Sequence, residues 1–274
     1  MTPKWKLTVW GVRGSMPVTD RDFLEYGGCT SCFSLDTGGG ALIVLDAGSG
    51  LERLGRWMRE NGRHRADIFI SHLHLDHILG LFAFPLLQDP AAEIFLYGSP
   101  GTVRSLVHLI GPPLWPVDLT ACRAKVALQE CRTGEAFSPA RGRTPAPPLT
   151  VTAMGGCHPG GCTYYRLDGE GRSLTYALDC ETEGDTARRL ASFARGTDLL
   201  IWDAHFAPGG AIPGWGHSTW REGVDLRRMA EAGRVLMTHY GGEYNDVFLR
   251  RQETLAREAD PAADFAKEGM VMEL

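Results

Sequence analysis

The 274-residue sequence predicts an α/β fold of two similar halves, packed sheet against sheet with helices outside. Three observations predict it. Short apolar strand-like runs alternate with helix-period stretches. The order of strands first, strand–helix alternation second, occurs twice along the chain. No linker and no short repeat interrupts it, so a single domain over residues 1–274 is expected.

Lys6–Val12 and Phe33–Asp36 read as strands, and Ala41–Asp46 as a buried strand ending in the Gly-rich turn AGSG. Ser49 to about Asn61 reads as a helix, with Leu51, Leu54 and Met58 on one face and Gly62 as its stop. Asp67–Ser71 is the next strand. Ile78–Leu87 reads as a helix, Glu93–Tyr97 as a strand and Thr102–Ile110 as a helix. Gly111 to Leu149 is Pro-rich and irregular, with a short strand near Lys125–Leu128 and a basic loop, SPARGRTPAPP, at 138–148. Strands return at Leu149–Met154, Cys162–Leu167 and Ser173–Leu178. The final alternation places helices near Glu183–Arg195, Thr219–Ala232 and Glu243–Arg257, and strands at Asp198–Asp203 and Arg234–Thr238.

Hydrophobic residues make up 43% and charged residues 22%, the balance of a globular protein with a substantial core. The formal net charge of −5 argues against a broad electrostatic grip on nucleic acid. Seven scattered cysteines and no secretory leader predict free thiols in a reducing cytoplasm. The longest uncharged apolar run, Ile78–Leu87, is too short to span a bilayer and contains a proline.

The chemistry concentrates in SHLHLDHILG at 71–80. Residues two apart in an extended segment point the same way, so His72 and His74 can share one metal, while Asp76 and His77, beyond a bend, face a second. Leu73 and Leu75 are expected to point into the core. Three further donors stand at other strand ends: His158 in GGCHPGGC, Asp179 in TYALDCE and His239 in RVLMTHY. Asp179, as a carboxylate, can bridge two ions.

With GWGHSTW at 214–220 and THYGGEY at 238–244, this set resembles the metallo-β-lactamase superfamily, and within it the phosphodiesterase branch that includes ribonuclease Z. GVRGSMP and YGGCTSC also resemble that branch's opening, although Cys29 stands where asparagine is usual. The resemblance implies an αββα sandwich of two mixed β-sheets flanked by helices. It implies His72, His74 and His158 on one ion, Asp76, His77 and His239 on the other, and Asp179 between them. Two divalent ions, zinc with Mn²⁺ or Fe²⁺ as alternatives, fit these N and O donors. Relatives of this branch are often dimers, so a homodimer is also implied.

Such a pair of ions would lower the pKa of a shared water and hold a hydroxide between them, ready for in-line attack on a phosphodiester. The resemblance gives His217 the role of proton donor or phosphate contact, and Asp76 joins it among the catalytic groups. The alternative for His217 is a place at a helix N-terminus, with Ser218 or Thr219 as cap. Asp203 could support His217 or a metal-bound imidazole, and Asp203 and His205 could equally be loop residues ending a strand. His64 is expected exposed and His108 structural, and Cys29-x-x-Cys32 could hold a structural ion.

Ribonuclease Z grips transfer RNA with an arm inserted between its third histidine and bridging aspartate. Here only 20 residues separate His158 from Asp179, enough for a hairpin. With the acidic net charge, this makes transfer RNA an unexpected partner and favours a small phosphodiester such as a cyclic nucleotide. The loop near Gly111–Pro116, with Trp215 and Tyr244, would shape a base-stacking pocket. The same centre could instead hydrolyse a lactone, β-lactam or thioester, or, loaded with iron, act as an oxygenase.

Overall fold

The computed structural model describes residues 5–38, 40–139 and 149–274, so most of the basic loop at 138–148 lies outside the described residues. The first half supplies β1 (Lys6–Gly11), β2 (Cys32–Asp36), β3 (Leu42–Leu45), α1 (Gly50–Glu60), β4 (Arg65–Phe69), the single turn α2 (Leu75–Ile78), β5 (Glu93–Gly98), α3 (Pro100–Leu109) and β6 (Lys125–Glu130). The second half supplies β7 (Ala136–Phe137), β8 (Thr150–Gly155), β9 (Thr163–Gly169), β10 (Arg172–Ala177), α4 (Thr186–Phe193) and β11 (Leu199–Asp203). It continues with α5 (Trp220–Met229), β12 (Arg234–Thr238), α6 (Asp246–Ala259), β13 (Ala263–Phe265) and β14 (Val271–Glu273).

One sheet has the order β14-β1-β2-β3-β4-β5-β6 and the other β13-β12-β11-β10-β9-β8-β7. Each is antiparallel over its early strands and parallel from β3 to β6 or β10 to β13. Parallel neighbours need crossover connections, which is why the helices fall in those stretches. β14 returns to pair with β1, so the chain's last strand closes the first sheet.

The period-two pattern sorts the first sheet's residues between two cores. Leu42, Val44, Ile68, Ile94 and Leu96 face Leu51, Leu54 and Met58 of α1 and Leu106 of α3. Their alternates Ile43, Leu45, Phe69 and Tyr97 face the second sheet's Val151, Tyr165, Leu167 and Tyr176. Phe69 stacks on Tyr97 with centroids 4.5 Å apart and meets Tyr165 edge-on at 5.3 Å. The Tyr165 hydroxyl crosses the sandwich to donate to the Ile70 carbonyl at 2.7 Å. Leu190, Val224 and Leu249, from α4, α5 and α6, cover the outer side of the second sheet. The architecture is the expected αββα sandwich.

Several local expectations need correction. Ile78–Leu87 is not a helix but the end of α2 and two 3₁₀ turns, Leu79–Ala83 and Pro85–Gln88. Pro85 forces Phe84 into extended backbone, and Gly80 lies so close to Gly48 that a Cβ would meet its carbonyl oxygen at 2.1 Å. Leu75 is 58% exposed rather than buried, because α2 starts there and strand alternation has already ended. His108 lies exposed on α3, and His64 is exposed as expected. Strands β7, β13 and β14 were not foreseen. At two or three residues they are too short to show a period.

Candidate metal centre

The donors and the carboxylates that support them gather at the carboxyl ends of parallel strands from both sheets, where open α/β sheets place ligands. β3 leads to Asp46, β4 to His72, β10 to Asp179, β11 to Asp203 and β12 to His239. Asp46, Asp179 and His239 all hold left-handed backbone, with φ of 55°, 55° and 64°. Such conformations cost about 1–3 kcal/mol each and survive only where the surroundings enforce them.

His72, His74, His158 and Asp179 form one group whose ligand atoms lie within 4.8 Å of one another. His158 Nε2 stands 3.0 Å from His74 Nδ1 and 3.5 Å from Asp179 Oδ1, and His72 Nε2 is 3.8 Å from that same oxygen. Asp76, His77 and His239 form a second group. There His77 Nε2 and His239 Nε2 lie 3.2 Å apart and within 3.2 and 3.1 Å of Asp76 Oδ2. Asp179 reaches this group with its other oxygen, Oδ2, at 3.0 Å from His77 and 3.3 Å from His239. One carboxylate thus addresses both groups, an oxygen to each.

The donor set fits divalent metal binding. His72 Nε2 and Asp179 Oδ2 are buried and make no hydrogen bond, although each faces other donors. Burial opposes ionisation of Asp76 and Asp179, but the facing imidazoles outweigh it and hold both carboxyls well below the usual range. Burial likewise opposes charge on His77 and His239. Asp179 and the neighbouring carboxylates prevail, lifting His77 well above its ordinary value and His239 to about 10. Burial, reinforced by His77, pushes His72 well below the usual imidazole range, and burial lowers His158 too. Positive charge is therefore demanded beside Asp76 and Asp179, and neutral imidazole donors stand beside it.

Hydrogen bonds fix which nitrogen each ring presents. His77 Nδ1 donates to Asp46 Oδ2 at 2.6 Å, leaving Nε2 for the centre. Asp46 also accepts from the Ser71 amide and hydroxyl and from the Tyr176 hydroxyl, each within 2.8 Å. His158 Nδ1 donates to the Gly216 carbonyl at 2.9 Å. The backbone N–H of Ser15 donates to Asp76 Oδ2 at 2.7 Å. Just before it, a Cβ on Gly14 would lie 2.6 Å from the His239 ring and 2.8 Å from His205 Nδ1. Arg13, wholly buried, ties this loop to the carbonyls of Gly27 and Tyr244, each at 2.7 Å.

His217 stands at the edge of the cluster, its Nδ1 donating to Asp203 Oδ2 at 2.9 Å and lying 3.8 Å from Asp179 Oδ1. It precedes the helix rather than opening it. Thr219 is the N-cap of α5, in a capping box with Glu222. His205 stacks on His217 with centroids 4.2 Å apart at 18°. Burial, together with the neighbouring His239 and His217 imidazoles, holds His205 down at about 4. Tyr244 packs on Phe248 at 4.5 Å and accepts from the Ala207 amide, so it serves the scaffold. Trp115 joins Phe82 in a separate apolar hollow beside α3. Cys29 and Cys32 are free and belong to neither donor group.

All seven expected donors and His217 lie together, whereas Asp46 was not foreseen. A signal existed for Asp46. The apolar strands ALIVLD, TYALD and DLLIWD all end in aspartate, and all three carboxylates serve the centre.

The family model for the beta-lactamase superfamily domain matches residues 42–240. The chain is 26% identical to a ribonuclease Z of Bradyrhizobium sp. (strain ORS 278) over 310 aligned residues, covering 96% of this chain and 98% of that protein. Its fold is similar to the metallo-beta-lactamase fold protein YhfI of Bacillus subtilis, with TM-score 0.75, 21% identity and coverage of 99% and 100% of the two chains. It is also similar to the short form of human tRNase Z, with TM-score 0.65, 19% identity and coverage of 97% and 98%. These likenesses overturn the expectation that transfer RNA is an unlikely partner. The hairpin of β9 and β10 does fill the interval between His158 and Asp179. But net charge sums over the whole surface and says little about the strip beside one site. Among the described residues, no helix is long and apolar enough to cross a membrane.

Proposed function

The chain belongs to the beta-lactamase superfamily, and from that premise we propose that this metal-dependent hydrolase cleaves phosphodiester bonds of ribonucleotides, RNA included. His72, His74 and His158 would hold one divalent ion and Asp76, His77 and His239 a second, with Asp179 shared between them. Zinc suits these donors, and Mn²⁺ or Fe²⁺ suit them too. Such ions supply an activated water and neutralise the charge of a phosphate.

The observation that carries the reading is His217. A departing alkoxide leaves poorly unless it is protonated. His217 is beside both donor groups, yet its Nδ1 is committed to Asp203, which leaves Nε2 to hand a proton to the leaving oxygen. The His205 ring beneath it and the buried Asp203 keep it in one orientation. Asp76, fixed by the Ser15 amide, would hold its carboxylate toward the ion that His77 and His239 share.

The test uses metal-loaded protein with a short 3′-extended RNA and, separately, a cyclic nucleotide, the smaller diester the same site would accept. Hydrolysis of either that stops on chelation supports the proposal. A loaded protein that leaves both intact and opens a lactone or thioester would move the reaction to carbonyl chemistry.

A further inference from the structure

We infer that Trp215 is the platform for a nucleobase joined to the phosphate at the metal centre, and that Glu181 positions it there. This rests on the phosphodiesterase reading for the phosphate and goes beyond it in naming what the phosphate carries.

Trp215 is 57% exposed, whereas Trp5 and Trp202 are buried in the core. Its loop is fastened on both sides of the ring. Glu181, only 9% exposed, accepts from the Gly214 amide at 2.8 Å and the Gly216 amide at 2.9 Å. Both glycines hold left-handed backbone, with φ of 81° and 77°, so the chain turns sharply before and after the tryptophan. At Gly216 a Cβ would also lie 2.2 Å from His158 Nδ1, the nitrogen that donates to the Gly216 carbonyl. The ring therefore stands one residue from a metal-site contact and two from His217.

A large ring left in water contributes little to folding. Held still, it offers a flat apolar face on which any base can stack, and the ordering entropy has been lost before binding. Phe206 meets the ring at 6.3 Å and 55°, a tilted contact that supports it without stacking on it face to face. Glu181 spends its buried carboxylate on the two amides that flank the ring. Stacking reads the base in an RNA and in a free nucleotide alike, and the inference commits to that shared chemistry.

The test compares binding of adenosine 5′-monophosphate and ribose 5-phosphate to the metal-loaded protein by calorimetry. The two ligands share the phosphate and ribose and differ by the base. The native protein should favour the adenosine compound by roughly five- to hundredfold, the range of one base–aromatic stack. Trp215→Ala should erase that preference and Trp215→Phe should keep much of it. Glu181→Gln should shrink it, because an amide cannot accept from both glycines as a carboxylate does. A loop that were only structural would weaken both ligands alike. Equal binding of the two ligands by the native protein, or a preference that persists in Trp215→Ala, overturns the inference. Base-selective binding without hydrolysis of any diester would instead count against the phosphodiesterase reading and leave the platform standing.

Discussion

Asp46 shows how a single side chain governs the centre without touching it. Its carboxylate takes four hydrogen bonds, and the one from His77 decides which nitrogen of that ring faces Asp76 and Asp179. Asp46→Ala should lower metal affinity or activity by roughly ten- to hundredfold, read by metal titration. His74→Ala removes a donor outright, so metal analysis should show loss of at least one ion together with hydrolysis. His217→Ala should keep both ions while the rate falls by about 10²–10⁴, most for diesters with poor leaving groups. Loss of metal from that variant would make His217 a ligand instead. His72, His74, Asp76 and His77 were legible because four donors crowd six positions. Asp46 and Glu181 were not, because their partners at 71, 77 and 176, or at 214 and 216, meet them only through strand register and loop closure.

At the scale of elements, the loop after β1 acts as a clamp. Arg13 anchors it, Ser15 binds Asp76, and Gly14 lets the backbone lie against His239. Gly14→Ala places a methyl group where the His239 and His205 imidazoles already stand, so the loop or those rings must shift. Its expected outcome is reduced metal content at the Asp76, His77 and His239 group with near-native secondary structure, checked by metal analysis and far-UV circular dichroism. Long elements with clear periods, such as α1 and β11, were readable in the sequence. The stretch Ile78–Leu87 misled because an apolar run of this length fits a buried helix as well as it fits the turns found there. Its apolar residues pack in two 3₁₀ turns on either side of Phe84, shaped by Pro85 and the close approach at Gly80.

For the whole molecule, the centre is also a fastening between sheets. His72, His74 and His77 follow β4 of one sheet, while His158, Asp179 and His239 follow β8, β10 and β12 of the other. Metal held between them would bind the folded state alone, so chelation should lower the thermal midpoint. At a free-ion concentration a hundredfold above Kd, the stabilisation lost is about 2.7 kcal/mol. The aromatic contacts of Phe69 fasten the same two sheets from within, and Phe69→Ala should cost about 3–5 kcal/mol in denaturant unfolding. The two-half order of strands and alternation made the sandwich readable from the sequence, whereas whole-chain charge misdirected the reading of its partners.

The most direct measurement is the hydrolysis rate of bis(p-nitrophenyl) phosphate as Zn²⁺ or Mn²⁺ is added stepwise to metal-free protein, against a chelated control. The account predicts turnover that rises until about two ions per chain are bound and vanishes on chelation. Protein that binds both ions and releases no p-nitrophenol would contradict it.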